Sequence, residues 1–263
     1  MASEGAGDGL GRGWELDREM GAESTVSGAE IGHFDALARQ WWDEDGDFKA
    51  LHRINPVRIQ YIRDQIQAHF GIEVGAPKPL KGLSILDIGC GGGLIAEPLA
   101  RLGAEVIGID ASADAIGIAR SHGAKLGIQY QNTAPEDLGG QRFDCVLSME
   151  VIEHVEDTEL FMEATAALIR PGGLFVGATL NRTLKSLALG KIAAEYVLGW
   201  VPPGTHDWRK FVRPSEFASL LRRAGLQVSD FTGISFRALE GDWTLSRDLG
   251  INYMLAAAKP GGE

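Results

Sequence analysis

Ten residues, Ser148 to Asp157 (SMEVIEHVED), place two glutamates and a histidine directly after the apolar run FDCVLSM. Glu150, Glu153 and His154 stand at i, i+3 and i+4, a spacing that stacks side chains on one face of a helix. Three titratable groups at the end of an apolar strand can move protons to and from a bound molecule. They can equally be a polar helix start, where acids complement the dipole. A second group precedes them. LDIGCGGGLIAE sets Gly89, Gly91 and Gly93 between a strand and a helix, where backbone can approach a ligand and helix N–H groups are available. The next strand, EVIGID, ends in Asp110, an acceptor suited to sugar hydroxyls through a bond worth roughly 1.5–3 kcal/mol. A glycine loop alone can be a tight turn. Strand, loop, helix and an acid-tipped second strand together indicate a nucleotide-like ligand at the carboxyl edge of a parallel sheet. The glycines run G-x-G-x-G, with Leu94 where a dinucleotide fingerprint needs its third glycine, which disfavours a nicotinamide dehydrogenase.

These groups need a scaffold, and the chain spells one out. LSILDIG, EVIGID, IQYQNT, FDCVLSM and GLFVGATL read as strands, and GLIAEPLARLGA, SADAIGIARSHGAKLG (Ser112 as cap) and DTELFMEATAALI as helices between them. PSEFASLLRRAG adds a helix, and LQVSDFTGI and INYMLAAAKP two final strands. The alternation predicts an α/β fold with a mostly parallel, seven-stranded sheet covered by helices on both faces. HFDALARQWW and NPVRIQYIRDQIQAHF read as helices before it, the second with Asn55 as N-cap and Pro56 at its first position. Residues 1–30 are rich in Gly, Ala and Glu without periodicity and read as a disordered tail. Residues 31–80 then form N-terminal helices, and residues 81–263 the main domain with an insertion at about 181–213.

Composition narrows the function. The 263 residues are 44% hydrophobic and carry a net charge of −11, which argues against a nucleic-acid-binding role. Cys90 and Cys145 suggest no disulfide framework, and no apolar run is long enough for a transmembrane helix. The expected setting is the cytoplasm.

The runs LDIGCGGG, VIGID, FDCVLSMEVIEHVED and RPGGLFVGATLNR resemble the successive motifs of class I S-adenosylmethionine-dependent methyltransferases. More narrowly, WWDEDGDFKALHRINPVRIQYI, NRTLKSLALGKIAAEYVLGWVPPGTHDWRKFVRPSE and INYM resemble the O-methyltransferases of ubiquinone biosynthesis, the UbiG family, over about residues 33 to 259. The resemblance implies a Rossmann-like fold whose N-terminal helices cap the cofactor site, and an inserted helical lid. It further implies S-adenosylmethionine as cofactor, with Arg58 at the methionine carboxylate, Gly89 along the cofactor backbone, Asp110 on the ribose and Met149 near the adenine. Taken alone, Arg58 would be a solvated helix residue and Met149 core packing. The E-x-x-E-H residues Glu150, Glu153 and His154 resemble a catalytic divalent-metal site, magnesium first and zinc next. His206 and Asp207 in GTHDW are a second pair, as base, substrate contact or loop packing.

The implied acceptor is a polyprenylated phenol or catechol. A phenol with pKa near 10 is only about one part in a thousand ionised at pH 7. Full ionisation requires roughly 4 kcal/mol of preferential stabilisation, from a general base or a metal ion. In LALGKIAAEYVLGWV, Leu189, Ile192, Ala193, Tyr196, Val197, Trp200 and Val201 share one helical face, with Lys191 and Glu195 opposite. That face suits either a lid on the core or peripheral contact with membrane lipid on the cytoplasmic side of the inner membrane, assisted by Arg182, Lys185 and Lys191. Other ubiquinone-biosynthesis enzymes are expected partners. The competing readings are a class I methyltransferase for an unrelated small molecule and a non-catalytic cofactor- or lipid-binding protein.

Overall fold

A computed structural model describes residues 41–46, 48–188, 208–237 and 240–262. The expected tail, most of the first helix, the helical lid face and the GTHDW pair His206 and Asp207 lie outside these residues.

Five strands run parallel: β1 (Ser84–Ile88), β2 (Glu105–Asp110), β3 (Gln129–Asn132), β4 (Phe143–Met149) and β5 (Ile169–Leu180). Three more, β6 (Gln227–Arg237), β7 (Asp242–Ser246) and β8 (Asn252–Ala258), complete the order β3-β2-β1-β4-β5-β8-β6-β7. β8 is antiparallel to both β5 and β6, and β7 is antiparallel to β6. The sheet therefore has eight strands where the sequence pattern indicates seven. The addition is β7, an edge strand whose last four residues are half-buried, too short and mixed to announce itself in sequence. In β4, by contrast, all seven residues are buried, as a central strand covered on both faces requires.

Helices cover each face. α1 (Lys49–Phe70) lays Ile54, Tyr61, Ile62 and Ile66 on one side of the sheet, joined there by α2 (Ala96–Arg101) and α3 (Ala113–His122). α4 (Thr158–Ala167) and α5 (Pro214–Arg223) cover the other with Phe161, Met162, Phe217 and Leu221. Each such side chain contributes about 1.5–3 kcal/mol on burial. Tyr61 Oη also donates to Asp230 Oδ2 at 2.8 Å, tying α1 to β6.

Two local expectations meet different outcomes. Ser112 caps α3, its hydroxyl accepting from Ala115 N at 3.0 Å. Asn55 and Pro56 do not start α1, which begins at Lys49 with Pro56 inside it. Leu51 and Ile54 continue the apolar stripe one turn upstream, so packing of that face carries the helix through the proline.

Candidate active site

Because β1, β2, β4 and β5 are parallel, Gly89, Asp110, Glu150 and Asn181 emerge at the same carboxyl edge. The glycine loop is held there by its own backbone. Gly89 N and Cys90 N both donate to Ile109 O, at 2.8 and 3.0 Å, and Gly89, Gly91 and Gly93 all have positive φ. Gly89 has a second requirement: a Cβ there would lie 2.4 Å from Val151 Cγ2.

Asp110 is already engaged with backbone. Its Oδ2 accepts from Gly91 N and its Oδ1 from Ser112 N, each at 2.8 Å, so one carboxylate ties the loop to the start of α3. Beneath the loop stands Asp87, 2% exposed, with Oδ2 lacking a hydrogen bond. Burial first, then the charge of Asp110, pushes its carboxyl up to about 7. A lone acid inside the apolar strand LSILDIG is the signal for Asp87, and residue typing of the loop passes over it.

The tryptophan pair that opens the WWDEDGDF motif lies against the loop, a contact that the motif does not specify. Trp42 Nε1 donates to Gly92 O at 3.0 Å, and the Trp41 ring lies where a Cβ on Gly91 or Gly92 would be. Trp41 stacks on Phe48 and Trp42 on His122, whose Nδ1 lies 2.6 Å from the fully buried Glu97. The glycine loop is thus roofed by residues that sequence spacing cannot connect to it.

At the end of β4 the geometry departs from the helical expectation. Glu150 is in the left-handed region, φ 58°, with its N–H donating to Ala178 O at 2.9 Å. A single 3-10 turn, Ile152–His154, follows, and α4 begins only at Thr158, where Asp157 accepts from Glu159 N and Leu160 N. Glu150, Glu153 and His154 therefore do not share one α-helical face. The sharp turn after Met149 gives Glu150 and Glu153 different partners outside the turn. Glu150 forms an ion pair with Arg58, which is 5% exposed and also lies 3.5 Å from Asn55 Oδ1. Glu153, 3% exposed, accepts from Thr179 Oγ1 at 2.9 Å through Oε2. His154 is half-buried and closes the turn, its N–H donating to Val151 O.

The two carboxyl groups nevertheless act on each other. Burial first, then the charge of Glu150, raises Glu153 well above the ordinary carboxylate range; hydrogen bonding with Glu150 adds to this, and the bond from Thr179 opposes it. This arrangement suits a shared proton. Among the described residues no group of three or more His, Cys, Asp and Glu is placed to hold a metal ion. The three-ligand magnesium or zinc site expected from Glu150, Glu153 and His154 is thus not assembled: Arg58 supplies the positive charge at Glu150 in place of a cation. Met149 ends β4 in the apolar core opposite Ala178.

A parallel sheet with a backbone-held glycine loop, an acid at the tip of β2 and helices on both faces defines a class I S-adenosylmethionine-dependent methyltransferase. A family model described as a methyltransferase domain matches residues 57–230. Among solved structures, magnesium protoporphyrin IX methyltransferase from Synechocystis PCC 6803 with bound S-adenosylhomocysteine superposes with a TM-score of 0.59 at 22% identity, covering 87% of this chain and 94% of that one. A possible histamine N-methyltransferase from Thermotoga maritima gives 0.60 at 18% identity, covering 86% and 98%. At such identities these two speak for the fold alone. Curated relatives go further. The ubiquinone biosynthesis O-methyltransferase of Methylobacterium nodulans is 51% identical over 235 residues, 88% of this chain and 94% of that protein. That of Sinorhizobium fredii is 50% identical over 243 residues, 91% and 98%. The chain belongs to the ubiquinone biosynthesis O-methyltransferase family.

Proposed function

We propose that the chain methylates a ring hydroxyl of polyprenylated phenols and catechols, serving both O-methylations of ubiquinone biosynthesis, on 2-polyprenyl-6-hydroxyphenol and on 3-demethylubiquinol. S-Adenosylmethionine, when bound, supplies an electrophilic methyl group. Gly89 and the loop backbone lie along it, Asp110 at the tip of β2 takes the ribose hydroxyls, and Met149 borders the adenine. Arg58 receives the methionine carboxylate, its present pairing with Glu150 marking a buried cation that selects for carboxylates.

The observation that carries the catalytic part is the Glu150–Glu153 pair at the end of β4, half-buried Glu150 beside buried Glu153. A carboxyl group held well above its usual range is a stronger base than one in water, and so better matched to a phenolic proton. As the oxygen attacks, its proton passes to this pair, the O–C bond forms and the S–C bond breaks. His154, in the same turn as Glu153, is a further catalytic candidate, and His206 and Asp207 are candidates for base or acceptor contacts.

The acceptor's isoprenoid tail places it in a bilayer, so the chain works as a peripheral protein at the cytoplasmic face of the inner membrane, where other enzymes of the pathway also meet these acceptors. No helix among the described residues is long and apolar enough to cross a membrane. Support comes from Leu184, 78% exposed, which precedes the amphipathic run Leu189–Val201. The test is transfer from methyl-labelled cofactor to a short-chain polyprenyl catechol, with amine and carboxylate acceptors as comparisons. Label on the catechol oxygen alone supports the reading. Label on the other acceptors alone contradicts it.

A further inference from the structure

Trp42 is bonded to the glycine loop through its Nε1, which donates to Gly92 O, and the face of its ring is held by a histidine. His122, the last residue of α3, stacks on that indole with ring centroids 3.5 Å apart and planes 10° from parallel. His52 of α1 meets the same indole only at its edge, with centroids 6.2 Å apart, and its own Nε2 lies 2.9 Å from Trp41 O.

His122 is itself clamped. Its Nδ1 lies 2.6 Å from Oε1 of Glu97, a side chain that is fully buried, and the other oxygen of that carboxylate accepts from Arg101 at 2.8 Å. A carboxylate only accepts, so Nδ1 carries the hydrogen and the tautomer is fixed. Nε2 makes no hydrogen bond among the described residues, and the side chain is 41% exposed, so water can deliver a second proton there. The other titratable or charged neighbours are engaged elsewhere: Tyr130 packs against the turn at Gly123, and Arg120 donates to Tyr130 O.

A proton on Nε2 strengthens both contacts of the ring at once. The bond from Nδ1 to Glu97 becomes charge-assisted, and a cation then lies over the face of an indole, the aromatic ring that attracts cations most. Each effect holds Trp42 in the orientation that bonds Gly92 O.

We propose that His122 is a positioning residue for the cofactor and acts through Trp42: the loop binds S-adenosylmethionine and its product more tightly when His122 is an imidazolium, and less tightly as pH rises. This rests on the glycine loop as the cofactor site.

The experiment measures S-adenosylhomocysteine affinity by calorimetry from about pH 6 to about pH 8, where an ordinary histidine loses its charge, in the wild type and in His122→Gln. Glutamine keeps a donor for Glu97 and removes the ring and its proton. Asp87 and His52 are present in both proteins, so the readout is the difference between the two profiles. Across this range the wild type loses about 2- to 10-fold in affinity relative to the variant, the size of one half-exposed cation–π contact with its charge-assisted bond. Parallel profiles overturn the proposal. Tryptophan emission gives a second readout, because an imidazolium in contact with an indole quenches it. Wild-type emission rises with pH in a step that Trp42→Phe and His122→Gln both lack. A wild type without that step overturns the proposal whether or not the variants fold, and so does a step that survives in Trp42→Phe. Failure of the wild type to bind S-adenosylhomocysteine at any pH refutes the cofactor site itself.

Discussion

Replacing Gly89 by alanine tests how the site is built, because two separate penalties converge on one methyl group. Gly89 has φ +69°, and an L-residue held in the left-handed region costs about 1–2 kcal/mol. The added Cβ also meets Val151 Cγ2 at 2.4 Å, an overlap that forces Val151 or the turn before Glu153 to shift. Overpacking of that kind costs typically about 1–3 kcal/mol, so Gly89→Ala destabilises by about 2–5 kcal/mol in all. For a chain this long, each kcal/mol lowers Tm by about 2–4 °C. The two parts separate in a double-mutant cycle. Val151→Ala removes the methyl that clashes and leaves the backbone penalty, so the double variant recovers at least about 1 kcal/mol relative to the sum of the singles. Calorimetric melts of the four proteins, with S-adenosylhomocysteine affinity measured alongside, give both numbers. Additivity within about 0.5 kcal/mol refutes the contact between the glycine loop and the β4 turn.

Three further outcomes follow from other parts of the site. Asp87 has a raised pKa, so the folded state holds its proton more tightly than the unfolded chain, and its contribution to stability is lost as pH rises from about 4 to about 7. Asp87→Asn removes that loss, and its Tm gains on the wild type across this range by the equivalent of up to about 4 kcal/mol; parallel melting curves contradict the assignment. Trp42→Phe deletes the bond to Gly92 O and weakens S-adenosylhomocysteine binding several-fold, or by about 1 kcal/mol, with kcat nearly retained; unchanged affinity removes the tryptophan roof from the cofactor site. Trp200→Glu places a charge in the apolar face of residues 189–201 and abolishes co-sedimentation with anionic liposomes, whereas equal binding by wild type and variant assigns that face to a lid.

What the sequence made legible is what depends on local pattern. FDCVLSM reads as a buried strand because every residue in it but Asp144 is apolar or small, and Ser112 reads as a cap because capping involves only the next turn. β7 was not legible, since an edge strand buries little and its residues alternate without a strong apolar face. The spacing of Glu150, Glu153 and His154 indicates a helix, but helical spacing says nothing of a left-handed residue at the start. The anchoring of Glu150 N to Ala178 O and the pairing of Glu150 with Arg58 act across 28 and 92 positions and override the local preference. The tryptophan roof is likewise a contact between distant segments. Asp87 alone left a local trace, as an acid in an apolar strand.

The account's central claim is that the Glu150–Glu153 pair takes the proton of the methylated hydroxyl. Glu153→Gln tests it most directly, since it keeps the volume and an acceptor for Thr179 while removing the titrating group. Single-turnover methyl transfer to a prenyl catechol should fall by about 10²- to 10⁴-fold, the usual contribution of a positioned general base, with S-adenosylhomocysteine affinity unchanged within about twofold. A rate within tenfold of wild type, at equal cofactor affinity, would contradict the claim and place the base elsewhere.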